Sequence, residues 1–146
     1  MNLLHRRRRT RGQSLVEFAL VFPIVIVILL AIFDLGRLVF AYNDIGNAAR
    51  QGARTAIIDQ TGNNARDRVI QMATSLGLTA SDVQVSYADS DGNDCHDPKT
   101  GKLTLACQAT VTVDFKWSAI TPVIGSIVGP ITVTTTAQMP IERIYP

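Results

Sequence analysis

Apolar side chains follow one another without a polar face from Leu15 to Phe33, and Glu17 is the only charged residue among these nineteen. As an α-helix rising ~1.5 Å per residue, the run covers about 28 Å, close to the ~30 Å hydrocarbon core of a bilayer. A core helix of a water-soluble domain normally keeps a polar face, which this run lacks. The pattern predicts a membrane-spanning helix, whose bounds we place at residues 13–36.

The helical periodicity continues beyond the apolar run. Apolar and small residues recur at alternating spacings of three and four, which is typical of one helix face: Leu35, Leu38, Tyr42, Ile45, Ala49, Gly52 and Ala56. Small residues let another backbone approach closely, so this half of the helix is expected to pack tightly against a domain. The pattern predicts one long helix that leaves the membrane and enters a domain formed by residues 37–146.

A second helix is expected after a break at residues 61–64, where Thr, Gly and two Asn residues follow one another. It is predicted to run from about Ala65 to Leu76, with Gly77 closing it. Its inner face is expected to carry four apolar residues: Val69, Met72, Ala73 and Leu76.

Alternating apolar and polar residues then predict three strands, at residues 83–87, 103–117 and 131–139. The middle strand has fifteen residues, from Leu103 through Leu105 to Trp117, and exceeds the usual strand length, so a bulge or bend is expected. Proline and glycine residues make residues 118–130 a predicted turn-rich connection. The order of elements predicts an α+β fold with helices against one small antiparallel sheet.

Five arginines make residues 1–12 strongly basic: Arg6, Arg7, Arg8, Arg9 and Arg11. Positive charge beside an apolar run resists translocation, so the N-terminus is expected in the cytoplasm and residues 37–146 outside it. This topology predicts a single-pass protein of the inner or cytoplasmic membrane, in contact with membrane lipid. A tail that binds nucleic acid is the alternative for a basic stretch, and we predict no nucleic-acid partner.

Two cysteines, Cys95 and Cys107, lie in the part of the chain expected outside the cytoplasm, where disulfides persist. An even number of cysteines at short separation favours one bridge. Such a bridge closes a thirteen-residue ring and is worth roughly 3 kcal/mol in the chain-entropy model. The alternative is a pair of free thiols, with Cys107 acting as a small buried apolar residue.

The stretch from Arg9 to Ala56 resembles the TadE-like proteins of the tight adherence (Tad) pilus machinery, in residues that read RGQSLVEFALVFPIVIVILLAIFDLGR and onward. The resemblance implies that residues 1–12 are a leader, which a prepilin peptidase removes by cutting between Gly12 and Gln13. Glu17 then stands at the fifth mature position, as in pilin-like subunits. The resemblance also implies a pilin-like fold.

The same resemblance implies a pseudopilin that acts in pilus assembly and adhesion, as part of a surface pilus or of its assembly platform. A minor pseudopilin is favoured, because major Tad pilins are much shorter. The implied partners are the prepilin peptidase, other pilin-like subunits that bind through the N-terminal helix, and the pilus assembly platform.

Two residues of the predicted span have expected roles. A carboxylate near the start of a buried helix favours a positive partner. In pilin-like assemblies the partner of Glu17 is the new α-amino group of a neighbouring subunit, and the pairing sets the axial register. The alternative is a Glu17 side chain that reaches the lipid headgroups. Pro23 cannot donate a hydrogen bond to the carbonyl of Ala19, so a kink is expected there.

Residue patterns that support catalysis are few. The sequence has no phosphate-binding glycine loop and no GxSxG elbow. His5 and His96 are expected on opposite sides of the membrane, which excludes a site that uses both. Four aspartates crowd one loop, but their spacing fails the EF-hand calcium template: Asp89, Asp91, Asp94 and Asp97. The sequence predicts a protein that is not an enzyme, with no cofactor and no bound metal.

Two other fates of the N-terminal helix remain open from the residues alone. An uncleaved single-pass anchor would display residues 37–146 as an exterior binding domain. A secreted domain would instead be released by cleavage after Ala41, although Asp34 and Arg37 interrupt the approach to that site.

Overall fold

A single α-helix, α1, extends over fifty residues from Thr10 to Asp59 and joins the apolar run to the folded domain. The computed structural model describes residues 10–97, 102–104 and 107–142. Helix α1 confirms the predicted long helix. It continues through Pro23, and the expected kink there stays a prediction. The leader residues 1–9 and Leu105 of the predicted middle strand lie outside the described residues.

The chain reverses direction after α1. Gln60 and Gly62 both have positive φ, at 55° and 80°, and the second helix, α2, follows at Asn63–Met72. Two short 3-10 turns, Thr74–Leu76 and Ala80–Asp82, lead to the sheet. The predicted helix break and the second helix are therefore confirmed.

Helix α2 packs on α1 through small residues at a spacing of four, Ala65, Val69 and Ala73, which are all fully buried. Met72 was expected on this face, and that prediction is wrong because its side chain is 43% exposed. It falls at the edge of the narrow buried stripe, on the last residue of α2. The predicted end of this helix at Leu76 is wrong, because α2 ends at Met72 and Gly77, with φ 64°, closes the following 3-10 turn instead.

Three antiparallel strands form one sheet in the order β1-β2-β3. They are β1 at Val83–Ala88, β2 at Gln108–Trp117 and β3 at Ile131–Pro140. Val111 at the centre of β2 pairs with Val85 on one side and with Ala137 on the other. The α+β fold with a small antiparallel sheet is confirmed.

The middle strand is shorter than predicted. Strand β2 begins at Gln108, and Leu103 instead forms an isolated bridge with His96. The disulfide loop that ends at Cys107 folds back on itself, so residue 103 finds its backbone partner within that loop. The expected bulge is not found within β2, which pairs with β3 residue by residue from Gln108 to Trp117.

The connection between β2 and β3 contains a short helix, α3, at Pro122–Val128, where the sequence predicts only turns. Pro122 occupies the first turn, where a proline fits because no helical donor is needed there. Gly129 ends the helix with φ 69°, and its N–H donates to the carbonyl of Gly125 at 3.0 Å. Proline and glycine thus mark the ends of a helix here.

The distal half of α1 lies across the sheet and forms the core with it. Ile45, Ala49 and Ala56 of the predicted stripe are fully buried, which confirms that half of it. Leu35 and Tyr42 are more than half exposed, so the stripe is wrong at its membrane end. The buried face there passes instead through two residues, Asp34 and Ala41. The sheet and the α3 connection contact that side of the helix.

Gly52 marks the closest approach between α1 and its neighbours. A Cβ atom at this position would overlap Cγ2 of Val69 in α2 and would lie 3.4 Å from Cγ1 of Val111 in β2. The residues at the distal end of the stripe are small because three elements meet there.

Candidate functional site

The N-terminal part of α1, residues 12–30, makes no buried contact with the domain. We call this exposed apolar part of the helix the rod. Every residue from Gly12 to Leu30 is exposed, and the mean hydropathy of the most apolar window reaches 3.0. Among the described residues, α1 is the one helix long and apolar enough to cross a membrane. An apolar surface of this size needs a cover of lipid or of other helices.

The predicted processing residues lie near the N-terminal end of α1. A Cβ atom at Gly12 would meet no atom within 4 Å, so the backbone there is open. The side chain of Gln13 donates from Nε2 to Oε1 of Glu17 at 3.4 Å, one helical turn later. The structure thus brings Gln13 and Glu17 together on one exposed face. Their roles in cleavage and assembly stay predictions.

The opposite end of the apolar run carries a buried carboxylate. Asp34 is 4% exposed and accepts hydrogen bonds from the backbone N–H groups of Ile120 and Thr121, each at 3.1 Å. Nη1 of Arg37 lies 3.5 Å from Oδ1 of the same carboxylate. A hydrogen bond to a charged group is worth roughly 1.5–3 kcal/mol. Asp34 therefore fixes the start of α3 to the point where α1 leaves the apolar run.

Sequence reasoning missed this role of Asp34, which it treated only as an interruption of a cleavage site. The available signal was a carboxylate directly after a membrane span, where a charge is kept only with partners. Its partners are backbone N–H groups 86 and 87 residues away. No pattern of side chains in the sequence indicates these backbone partners.

Trp117, the last residue of β2, separates two apolar grooves beside α1. One groove is lined by Ile32, Phe40 and Phe115, among others, and the other by Ala31 and residues of α3. The indole is buried, and its Nε1 has no hydrogen-bond partner in the part of the chain that the structure describes. Aromatic and aliphatic side chains thus surround α1 where the domain meets the apolar run.

At the far end of the domain, a disulfide joins Cys95 and Cys107, whose Cα atoms are 5.9 Å apart. The predicted bridge is confirmed. The backbone carbonyls of both cysteines also accept hydrogen bonds. Thr104 N–H donates to the carbonyl of Cys95 at 3.1 Å, and Ile141 N–H donates to the carbonyl of Cys107 at 2.8 Å. The bridge therefore closes the loop onto the end of the sheet.

The acidic loop beside the disulfide is a turn held by hydrogen bonds among its own residues. Oδ1 of Asp89 accepts from the backbone N–H groups of Asp91 and Asn93 at 2.8 and 2.9 Å. These bonds to Asn93 and Asp91 hold the pKa of Asp89 below its usual value. Within residues 10–97, 102–104 and 107–142, no three His, Cys, Asp or Glu side chains converge as a metal site would require. The carboxylate of Asp89 is used to shape the loop.

These features define a protein whose single N-terminal apolar helix fits one pass through a membrane and continues into an α+β domain. A family model described as TadE-like protein matches residues 12–54. The match begins at Gly12 and extends along α1 into the domain core, which confirms the TadE-like character of this segment. The family is one of pilin-like proteins associated with the Tad pilus. No curated protein and no solved structure matches the chain.

Proposed function

We propose that this protein is a pseudopilin of a Tad-type pilus, processed by a prepilin peptidase between Gly12 and Gln13. The observation that carries the proposal is the TadE-like match, which begins at Gly12 and covers the exposed apolar part of α1. The family is one of pilus structure and assembly, and the proposed role is accordingly mechanical. The pilus platform and other pilin-like subunits are the proposed partners.

In this proposal, the basic leader holds the N-terminus in the cytoplasm and the folded domain stands outside. Cleavage after Gly12 leaves the apolar rod in the membrane with a new α-amino group on Gln13. The rod then joins a bundle of similar helices, which covers its exposed apolar side chains. The exterior domain caps, initiates or decorates the filament.

Glu17 supplies the specific contact of this bundle. Its carboxylate stands on the exposed face of α1 and is bonded in the intact chain only loosely, to Gln13 at 3.4 Å. An α-amino group from a neighbouring subunit is a stronger partner because it is charged. In an apolar bundle an unpaired carboxylate is costly, so this pairing selects one axial offset between helices.

Intact-mass measurement and N-terminal peptide mapping of the protein from its native membrane test the proposal. The expected start is Gln13, free or cyclised, and this start should disappear when the cognate peptidase is deleted. A Gly12→Val variant should keep its leader. The matched control is Gly36→Val, because a Cβ atom at that exposed helical glycine also meets no atom within 4 Å.

Other results would replace the proposal. An intact leader in a peptidase-positive cell would favour the uncleaved anchor that displays a binding domain. A chain that starts at Tyr42 would indicate a released domain.

A further inference from the structure

We propose that the connection between β2 and β3, residues 118–130, is a second membrane-contacting element that seats the domain on the lipid surface. We call these residues the α3 loop. The inference rests on the proposed membrane span of α1 and adds to it a surface of the folded domain. The lipid it would contact is the headgroup–acyl boundary of the leaflet from which α1 emerges.

The start of the α3 loop is held at the end of the apolar run. Asp34 directly follows Phe33, the last residue of that run, and its carboxylate bonds the N–H groups of Ile120 and Thr121 at 3.1 Å each. Because Asp34 is only 4% exposed, this contact is buried. The loop therefore begins at the level where α1 leaves the hydrocarbon.

At this level, α3 lies beside α1. A groove between them is lined by Ala31, Leu35 and Leu38 of α1 together with Ile124 and Val128 of α3. Ala31 is partly buried, whereas every other residue from Leu15 to Phe33 is exposed. Since Ala31 precedes Asp34 by three residues, or about 4.5 Å along the helix axis, this groove reaches the outermost turn of the run. An interfacial element lies roughly 5–10 Å deep at the headgroup–acyl boundary.

The outer face of the α3 loop is apolar and open. Ile127 is 78% exposed and Ile120 is 71% exposed. The sequence has no charged residue between Lys116 and Glu142, so no charge on this segment opposes contact with lipid. A single exposed isoleucine would need no explanation. An uncharged segment that is fixed beside a membrane span, with two exposed isoleucines, fits a lipid surface.

Lipid is the occupant that the geometry favours over a second copy of the chain. The loop surface is continuous with the apolar run, where the neighbouring Phe33 is 76% exposed and would be covered by lipid in the single-pass topology. A protein partner would be expected to meet some charge or hydrogen-bonding group that fixes its orientation. The exposed side chains of Ile120, Ile127 and Val128 offer neither, and the exposed polar side chains of the loop are two small serines, Ser118 and Ser126.

Photocrosslinking of the full-length, disulfide-intact protein tests the inference. The photoreactive residue p-benzoylphenylalanine replaces Ile127, in vesicles of phosphatidylethanolamine and phosphatidylglycerol, and adducts are identified by intact mass. Phe33 is the position for the positive control in the span. Ile58 is the matched negative control, because it is 61% exposed but lies about 36 Å beyond Asp34 along α1.

The expected result is a phospholipid adduct from positions 33 and 127, with at least about fivefold less from position 58. A protein–protein adduct from position 127 would overturn the inference in favour of a second copy. Lipid adducts from position 33 but not from 127 would overturn it while the membrane span stands. Their absence from position 33 would overturn the span itself, and the inference with it.

Discussion

The carboxylate of Asp34, in the N-terminal helix, accepts a hydrogen bond at 3.1 Å from the backbone N–H of Thr121, which follows 87 residues later. A second bond of equal length comes from Ile120. Through this contact, the point where α1 leaves its apolar run is joined to the connection between the last two strands. One buried side chain thus joins the end of the predicted membrane span to a distant connection of the folded domain.

Replacing Asp34 should destabilise the domain. In Asp34→Ala, two backbone N–H groups lose their acceptor, and we expect a loss of roughly 2–4 kcal/mol in the free energy of unfolding. Asp34→Asn keeps one oxygen acceptor and should lose less. Denaturant unfolding of the full chain in detergent, followed by the fluorescence of Trp117, measures both.

The control for this prediction is Asp44→Ala on the same helix. Asp44 accepts a single exposed hydrogen bond from Ser75 Oγ at 2.9 Å, so its loss should cost less than about 1 kcal/mol. Equal losses for the two alanine variants would contradict the special role of Asp34.

Two glycines of α1 should respond in opposite directions to alanine. In Gly52→Ala, the new methyl group overlaps Val69, and we expect a loss of about 1–3 kcal/mol from overpacking. In Gly46→Ala, the nearest atom is Cγ2 of Thr135 at 3.7 Å, an ordinary contact. Alanine is the better helix former by up to ~1 kcal/mol, so this variant should be neutral or more stable. The same unfolding measurement decides between them, and a stable Gly52→Ala variant would show that α2 can move aside.

The pH dependence of stability should show the burial of Tyr87. Its hydroxyl donates to the carbonyl of Ala56 at 3.2 Å, and burial raises the pKa of Tyr87 to about 12. An unfolded tyrosine titrates near 10. The folded state holds this proton more tightly, so the contribution of Tyr87 is complete below about pH 10 and is lost as the pH rises to about 12. The loss is of order 2 kcal/mol.

Absorbance titration of the tyrosinates near 295 nm, combined with unfolding at several alkaline pH values, measures this effect. The Tyr87→Phe variant should lack the component that titrates near 12. An unchanged titration curve in that variant would contradict the assignment.

Removing the disulfide should cost about 3 kcal/mol in the free energy of unfolding, because Cys95 and Cys107 close a loop with a sequence separation of 12. Unfolding of the wild-type protein with and without reductant should show this difference. The double variant Cys95→Ser, Cys107→Ser should unfold like the reduced protein and should not respond to reductant. A response of the double variant would place the effect of the reductant elsewhere.

Within the proposed function, Glu17→Gln should block assembly without blocking cleavage. The change removes the charge that pairs with a neighbouring α-amino group, and the loss of one partner from such a pair costs roughly 3–5 kcal/mol. We expect at least about a tenfold drop in the sheared pilus fraction, with the processed N-terminus still at Gln13. The control is Val16→Ala, at an adjacent position that is also exposed. Normal pili in the Glu17→Gln variant would remove the register role.

Most of the fold was predictable from local sequence patterns. The period of α1, the break after it and the alternation in β1 and β3 each depend on residues close together in sequence, and the sequence predicts them. The disulfide was also predictable, because only two cysteines are present. Met72 and Leu35 were misplaced because a periodic stripe gives the spacing of a buried face but not its exact width or rotation.

The missed features depend on contacts between distant parts of the chain. The partners of Asp34 are backbone groups of another element, which any residue type supplies. Helix α3 was hidden because Pro122 and Gly129, which mark its ends, equally mark turns. Leu103 does not belong to β2 because its backbone pairs with His96 within the disulfide loop.

The continuity of α1 has a mechanical consequence. The same fifty-residue helix passes from the apolar rod into the core, where Ile45, Ala49 and Ala53 are fully buried. An axial pull on the apolar part of α1 is therefore transmitted directly to the sheet, because one continuous helix joins them. The helix is about 75 Å long, with one part in the predicted bilayer and the other packed in the domain core.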